Sequence, residues 1–224
     1  MSFSTKVKKE IGGHASRSRH CQIAELLALV LATGEVELND NRIKLILRPE
    51  NAMIGDKLCR LIDILFEKQV LYSRNSKYIE IGDQEMADRL LQTIKLSDYV
   101  DYLEEDWLDE EELSEIEEDY ITYVSLRGVS LQNCHFPKQV VQKECCKKAF
   151  IRGMFLAAGS VNDPSKAYHF EIVVRNREMA EVVREIINSF TLDAKIVKRK
   201  KYYVVYLKEG SMIVDILNIC EAYV

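Results

Sequence analysis

CQIAELLALVLATGEV at residues 21–36 and CKKAFIRGMFLAAGSV at residues 146–161 are two versions of one pattern, 125 positions apart. In both stretches a small residue recurs at every fourth position, which places small side chains along one face of a helix. A helix with such a face can approach a second helix almost backbone to backbone. The sequence therefore predicts that the two helices pack on each other across an internal twofold axis. The small residues expected in this contact are Ala24, Ala28, Ala32, Ala149, Gly153 and Ala157.

The composition indicates a folded protein of the cell interior. Of the 224 residues, 47% are apolar, which is enough for a sizeable core and excludes general disorder. The start of the chain lacks the pattern of a secretory leader, and the most apolar run, residues 23–32, is too short to span a bilayer. The six cysteines include no CxxC pair, so we interpret them as reduced thiols. We expect a cytoplasmic, nucleoid-associated protein without membrane contact.

The charges are distributed unevenly along the chain. Residues 98–119 contain 13 acidic residues and neither lysine nor arginine, whereas the whole chain has 31 basic and 36 acidic residues. Outside this run, 31 basic residues therefore face 23 acidic ones, a balance of +8. We interpret the acidic run as a solvated linker. The alternative is an acidic amphipathic helix that covers the basic surface as a DNA mimic or binds a protein partner.

The two halves of the chain repeat the same order of elements. After the small-residue helix, alternating apolar residues predict strands at residues 35–38 and 42–48 in the first half and at residues 168–175 in the second. An amphipathic helix follows, then a predicted hairpin, and then a closing helix.

This order, αββαββ plus a helix, predicts an α+β protein. The hairpins are expected at residues 70–81, with strands at 70–74 and 77–81, and at residues 194–208. We expect a first repeat at residues 1–97, an acidic linker or insertion at 98–138 and a second repeat at 139–224.

The duplicated pattern resembles the LAGLIDADG homing endonucleases, whose motif aligns with residues 151–159 and more loosely with residues 26–34. Over nearly the whole chain the sequence is similar to one subfamily, WhiA, most specifically at residues 145–164. The resemblance implies a duplicated αββαββα fold, with two pseudo-symmetric halves and saddle-shaped antiparallel sheets. It also implies a non-catalytic transcription regulator of Gram-positive bacteria, linked to cell division, chromosome segregation and sporulation. In the family a helix-turn-helix domain follows the second repeat, and this sequence ends before it; we interpret this as truncation, the alternative being an atypical protein.

Nuclease chemistry is expected to be lost. The family's motif reserves two positions for the acids that hold Mg²⁺, and Thr33 and Ala158 occupy them here. An alanine cannot bind a metal, and a neutral hydroxyl replaces a carboxylate poorly. We therefore expect no catalytic residue, no metal and no cofactor, and an active endonuclease is the least favoured hypothesis. A zinc set of Cys134, His135 and residues 145–146 is also disfavoured, because its spacing matches no common zinc finger.

Basic strands indicate a nucleic-acid partner. In residues 42–48 basic and apolar residues largely alternate, so one face of the strand suits DNA and the other a core. We predict weak, salt-dependent binding to double-stranded DNA through phosphate contacts. Alanine at Lys44 or at Lys198 is expected to lower the salt slope by about one. The candidate DNA-binding residues are Arg42, Lys44, Arg48, His169, Arg175, Lys195, Lys198, Arg199, Lys200 and Lys201.

A second hypothesis comes from a different class of function. Antiparallel sheets commonly have one polar, solvated face, so basic strands alone do not establish DNA binding. The second hypothesis is that the chain is a protein-interaction scaffold that uses the former DNA-binding saddle. The acidic segment 98–119 would be a further site for a protein partner. Because the repeat already supplies both halves, we expect a monomer.

Overall fold

The computed structural model describes residues 2–39, 42–73, 75, 77–98, 129–163 and 168–223. Within these ranges the helices are α1 (Phe3–Gly13), α2 (Arg19–Thr33), α3 (Ala52–Phe66), α4 (Gln84–Thr93), α5 (Glu144–Ala158), α6 (Arg177–Asn188) and α7 (Gly210–Ile219). The strands are β1 (Gly34–Asn39), β2 (Arg42–Leu47), β3 (Ile79–Ile81), β4 (Val129–Ser130), β5 (Gly159–Val161), β6 (Phe170–Val174), β7 (Lys195–Arg199) and β8 (Tyr202–Leu207). None of the described helices is both long and apolar enough to cross a bilayer.

Helices α2 and α5 lie at the centre of the molecule and touch at their small residues. Gly153 of α5 is so close to α2 that a Cβ atom added to it would lie 2.8 Å from the Cβ atom of Ala28 and 2.9 Å from the carbonyl oxygen of Glu25. The other small residues of the two faces are buried or half-buried: Ala24, Ala32, Ala149 and Ala157. The two central helices, one from each half, therefore belong to one continuous core.

The repeat extends beyond the helix pair with the same spacing of 125 residues. Gly34 follows α2 and Gly159 follows α5, and the amide of each donates a hydrogen bond back to its helix. Asn51 and Asn176 cap α3 and α6, because the side-chain oxygen of each accepts a hydrogen bond from the amide three residues further on. Since equivalent residues do equivalent work in both halves, the duplicated α+β fold is confirmed.

The first half contributes an antiparallel sheet with the strand order β3-β2-β1-β4. Strands β1 and β2 pair from Gly34 opposite Leu47 to Asn39 opposite Arg42. Alternate residues of these strands, such as Val36 and Leu45, are fully buried against the helices. The remaining residues form the face that points away from the helices, which we call the outward face.

The second half contributes an antiparallel sheet with the strand order β5-β6-β8-β7. Strand β6 pairs with β8 from Phe170 opposite Leu207 to Val174 opposite Tyr203. The alternating burial of β6 turns Phe170, Ile172 and Val174 towards the helices. As in the first sheet, every second residue is left for an outward face.

The predicted first strand of the hairpin at 70–81 was wrong. Residues 70–72 form no strand, and only an isolated bridge between Ser73 and Tyr78 precedes β3. The ring of Tyr72 instead covers Gly55 of α3, where an added Cβ atom would come within 2.6 Å of it. This segment therefore packs against helix α3 instead of pairing with a strand of the sheet. Helix α1, which the sequence analysis did not predict, also packs on the central core.

The predicted linker at 98–138 ends earlier than expected, because its last residues belong to the packed fold. Strand β4 pairs with β1 and supplies the fourth strand of the first sheet. Gln132 is buried just after β4. Its side-chain oxygen accepts a hydrogen bond from the backbone amide of Arg175 at 2.8 Å, and its backbone carbonyl accepts one from the side chain of Asn176 at 2.6 Å. These bonds join the first half to the second. The acidic run and the strand predicted from residue 120 lie mostly in 99–128, outside the described residues.

Candidate nucleic-acid interface

The ends of the two central helices carry no metal-binding acid at the positions that the nuclease motif reserves for one. The hydroxyl of Thr33 donates a hydrogen bond to the carbonyl oxygen of Leu29 at 2.7 Å, so it is engaged within its own helix. Ala158, the equivalent residue of α5, is half-buried. In the described parts of the chain, no group of three acids with metal-ligand spacing lies at this end of the helices.

The outward face of the first sheet is less basic than β2 alone suggests. Lys44 donates to Glu80 of β3 at 3.0 Å, and this hydrogen bond raises the pKa of Lys44. Arg48 donates to Glu35 at 2.9 Å and lies 3.5 Å from Glu37, both on β1. Such exposed ion pairs stabilise a protein little, but they neutralise the charge that a phosphate would meet.

Arg42, the remaining basic candidate of the first half, lies at the start of β2 opposite Asn39. Its side chain is outside the described residues. Among the ion-paired side chains described on this outward face there are three carboxylates, Glu35, Glu37 and Glu80, and two cations, Lys44 and Arg48. Sequence reasoning missed this balance because it treated β2 alone. Pairing β1 against β2 would have brought Glu35 and Glu37 beside the basic residues.

The outward face of the second sheet carries cations beside aromatic rings, as Arg48 lies beside Tyr78 in the first half. The register of β7 and β8 places Lys195 opposite Tyr206 and Arg199 opposite Tyr202. His169, just before β6, stacks on the ring of Tyr206 with the ring centres 6.1 Å apart. Cations beside accessible aromatic rings are the kind of surface that contacts phosphates and bases.

Two acids lie at this surface: Asp193, just before β7, is 2.8 Å from Lys195, and Glu171 lies on β6. Burial opposes the ionisation of Glu171, but hydrogen bonds from His169 and Ser160 and the positive charge of Arg199 outweigh it and lower the pKa of the carboxyl group. His169 Nε2 lies 2.9 Å and Arg199 Nη1 3.2 Å from the carboxylate. Two of the predicted DNA-binding residues are thus held in place by one carboxylate.

The tip of the β7–β8 hairpin is an exposed basic segment of the second half. Lys200 and Lys201 form the turn, and neither has a carboxylate within ion-pair distance among the described residues. Lys198 does not share the outward face of its neighbours: its ammonium group lies 5.7 Å from the ring centre of Tyr203 on the helix side of the sheet. Arg175, exposed at the end of β6, contributes its backbone amide to the bond with Gln132.

A buried group of charges lies beside the crossing of the central helices, and sequence reasoning missed it. Glu25 of α2 is fully buried and accepts hydrogen bonds from Lys57 at 3.1 Å and Arg152 at 3.2 Å. Arg152 also donates to Glu221 at 2.5 Å and to Ser16 at 2.6 Å. The only sequence signal was a charged residue within each of two apolar runs.

The environment of this group explains how charges are tolerated in the core. Burial lowers the pKa of Lys57, and the neighbouring carboxylate of Glu25 offsets this only in part. Burial also opposes the charge on Arg152, but Glu25 and Glu221 outweigh it and raise the pKa of the guanidinium. The group connects α2, α3, α5 and the residues after α7, so loss of any one partner would leave a buried charge uncompensated between the two halves.

The comparisons with known proteins agree with this architecture. A family model described as the WhiA LAGLIDADG-like domain matches residues 22–111 and 147–223. The probable cell division proteins WhiA of Lachnoclostridium phytofermentans and Alkaliphilus oremlandii are 42% and 35% identical to the chain over its whole length. The chain spans 66% and 65% of the length of these relatives.

Solved structures show the same fold. Full-length DUF199/WhiA from Thermatoga maritima matches with a TM-score of 0.62 at 19% identity, covering 99% of this chain and 62% of that one. I-DmoI in complex with DNA and Mn matches with a TM-score of 0.56 at 13% identity, covering 92% of this chain and all of that one (100%). At these identities the likeness shows the fold alone. The family match, in contrast, extends over most of the sequence, and the chain therefore belongs to the WhiA family through its LAGLIDADG-like domain.

Proposed function

We propose that this chain is the non-catalytic, DNA-contacting part of a WhiA-type transcription regulator that acts in cell division, chromosome segregation and sporulation. It would act in the cytoplasm, in association with the nucleoid. The observation that carries the proposal is the contrast between the outward face of the second sheet and the C-terminal ends of the two central helices. The outward face of the second sheet carries Lys195 and Arg199 beside tyrosine rings, whereas both reserved acid positions, Thr33 and Ala158, lack a carboxylate.

The second sheet supplies the contacts in this proposal. Lys195 and Arg199 share one face of β7, where Asp193 and Glu171 pair with them. Lys200 and Lys201 at the hairpin tip have no carboxylate within ion-pair distance among the described residues, so they carry most of the proposed phosphate contact. Such groups meet phosphates and stack on sugars or bases without requiring a particular sequence. The binding of this chain alone would therefore be weak, tolerant of sequence and sensitive to salt.

The lack of catalysis in this proposal follows from the chemistry of phosphodiester cleavage. A metal-dependent nuclease needs carboxylates that hold Mg²⁺ against the attacking and leaving oxygens. Ala158 has no ligand atom, and the hydroxyl of Thr33 is already bonded to Leu29. The acids nearby, Glu35 and Glu171, are paired with cations instead.

A titration of a labelled DNA duplex tests this proposal. We expect fluorescence anisotropy to report binding at about 50 mM salt that weakens steeply by about 200 mM. The same mixtures, incubated with Mg²⁺ or Mn²⁺ and run on a denaturing gel, should contain only intact strands. No binding at the lower salt concentration would contradict the DNA contact. Cutting at a defined position would contradict the loss of catalysis.

A protein-interaction scaffold is the second candidate, and the first sheet favours it. Its described outward side chains include three carboxylates, Glu35, Glu37 and Glu80, which would repel a phosphate backbone. Replacing the exposed Glu80 by lysine distinguishes the two candidates. If DNA crosses both sheets, the Glu80→Lys variant binds duplex DNA more tightly. If the first sheet receives a protein, its DNA affinity stays unchanged.

The organisation that we propose is a monomer built from two repeats. Residues 1–97 and 139–224 would form the two halves, and the segment between them would be an insertion whose last residues complete the first sheet. The acidic residues 98–119 would either screen the cationic surface or bind a protein partner. Deleting this run should strengthen DNA binding if it acts as a screen.

A further inference from the structure

Four metal-binding side chains from the two halves meet where α2 and α5 begin. They are His20 and Cys21 of α2 and Cys145 and Cys146 of α5. The Nδ1 atom of His20 lies 3.3 Å from the sulfur atoms of Cys21 and Cys146 and 3.9 Å from the sulfur of Cys145. All four ligand atoms lie within 4.8 Å of one another.

This group is a product of the internal repeat. His20 and Cys21 are the second and third residues of α2, and Cys145 and Cys146 are the second and third residues of α5. The two pairs are therefore related by the same offset of 125 residues as the helices themselves. Because the helices pack closely, their first turns come together. Each adjacent pair alone has no metal-motif spacing, so the set exists only in the folded chain.

The distances fit a tetrahedral ion with these ligands. Zinc binds thiolate sulfur at about 2.3 Å and imidazole nitrogen at about 2.0–2.1 Å. Tetrahedral angles between bonds of those lengths put neighbouring ligand atoms about 3.6–3.8 Å apart. The three sulfur-to-nitrogen distances, 3.3, 3.3 and 3.9 Å, bracket that value. The sulfur-to-nitrogen distances need to change by only a few tenths of an ångström, and the largest separation in the group, at most 4.8 Å, needs to shorten by up to about 1 Å.

The surroundings favour a structural site. Cys21 and Cys146 are buried and Cys145 is exposed, so an ion could enter from solvent and then be enclosed. Four protein ligands leave no open position for a substrate. Burial raises the pKa of Cys21 to about 12 and also raises that of Cys146, so the ion would have to displace the protons of both thiols as it binds.

We propose that His20, Cys21, Cys145 and Cys146 bind one Zn²⁺ ion as a structural site that joins the first turns of the two central helices. Thiolate and imidazole ligands select zinc over Mg²⁺ or Ca²⁺, which prefer oxygen. The ion would fix the crossing of the helices at the end opposite to Thr33. That residue lies 12 positions along α2 from Cys21, or about 18 Å.

The assignment differs from both expectations drawn from the sequence, which were no metal at all and a disfavoured set with Cys134 and His135. Cys134 and His135 do not join the group, and His135 lies 3.5 Å from Glu178 instead. The zinc site does not depend on the proposed DNA contact, because no candidate DNA-binding residue belongs to it.

Titration of the reduced, metal-free chain with Co²⁺ tests the proposal. Cobalt takes the place of zinc in tetrahedral sites, and thiolate ligands give it intense visible and near-ultraviolet bands. We expect these bands to saturate at one equivalent and to disappear when Zn²⁺ is added. We also expect one equivalent of Zn²⁺ to raise the thermal midpoint of unfolding.

Two cysteine variants separate a metal site from a general thiol effect. Cys145→Ser changes an exposed side chain and should fold. It should lower the affinity for Zn²⁺ by more than about 100-fold, since loss of a second-shell partner alone costs 10–100-fold. Cys59→Ser, on α3 and outside the group, should leave the affinity unchanged. His20→Gln should alter the cobalt spectrum while all three thiolates remain.

Three results would overturn the assignment. The first is a cobalt titration without tetrahedral thiolate bands. The second is equal zinc affinity in the Cys145→Ser and Cys59→Ser variants. The third is a chain isolated without chelator that carries no zinc and contains a disulfide between cysteines of this group.

Discussion

Replacing Gly153 by alanine is expected to destabilise the protein, although alanine normally favours a helix by about 1 kcal/mol over glycine. The new Cβ atom would lie 2.8 Å from the Cβ atom of Ala28 and 2.9 Å from the carbonyl oxygen of Glu25. Favourable carbon contacts need about 3.5–4.0 Å. Neither neighbouring atom can rotate away, so the helices must separate.

The expected size of the effect follows from these two contacts. Overpacking of a core costs about 1–3 kcal/mol, and the upper end applies here because two rigid contacts are violated together. Subtracting the gain in helix propensity leaves a net loss of about 2 kcal/mol. For a chain of this length that loss corresponds to roughly 4–8 °C in the thermal midpoint.

Urea and thermal unfolding, followed by circular dichroism, measure this loss. Gly13→Ala is the matched control, because Gly13 ends α1 and an added Cβ atom there has no neighbour within 4 Å. We expect the stability of that variant to be unchanged or slightly higher. A Gly153→Ala variant as stable as the natural chain would refute the close helix crossing.

A double variant shows which contact is responsible. Ala28→Gly removes the nearer of the two obstructing atoms. The double variant Gly153→Ala, Ala28→Gly should therefore be more stable than the sum of the single changes predicts, with a coupling of at least about 0.5 kcal/mol. Additive effects would show that the two residues do not touch.

Three further predictions test other parts of the structure. Arg152→Met should lower the free energy of unfolding by about 3 kcal/mol in urea, since it removes one partner of the buried Glu25, and a loss under about 1 kcal/mol would contradict the network. Thr33→Asp combined with Ala158→Asp should raise the calorimetric affinity for Mn²⁺, and no gain would mean that the helix ends do not face each other. The pKa of Glu171 is lower in the folded protein than in the unfolded chain. The ionised carboxylate therefore stabilises the fold above the ordinary glutamate pKa of about 4.3, and this contribution is lost as the pH falls through the pKa of the folded state. Glu171→Gln should therefore destabilise the chain at neutral pH but flatten the decline of stability in acid, and an unchanged acid profile would contradict this role.

The central architecture could be predicted from the sequence because its signals are local. Small residues at a spacing of four mark a helix face, and the 125-residue repeat of that face marks the duplication. The alternation of β2 also predicted that Ile43, Leu45 and Leu47 would be buried, and they are, although Ile46 on the expected solvent face is buried too. These patterns depend only on helix and strand periodicity, which holds wherever the element lies.

The parts that were missed depend on contacts between distant segments. Strand β4 joins the first sheet from beyond the acidic run, which no local pattern shows. The charge of Lys44 is neutralised by Glu80 on a different strand, so a basic strip in one strand overstates the charge of the surface. The histidine and cysteine group likewise unites residues 125 positions apart, and its two adjacent pairs resemble no metal motif by themselves.

The dependence of DNA affinity on salt tests most directly the claim that the second half provides the DNA contact. The slope of log K against log salt concentration should be shallower by about 0.9 for each phosphate-contacting lysine that is removed. We predict a clear decrease for the double variant Lys200→Ala, Lys201→Ala. We predict almost none for Lys44→Ala, whose charge Glu80 already neutralises. Equal slopes for the natural chain and the double variant, or a larger change for Lys44→Ala, would contradict the account.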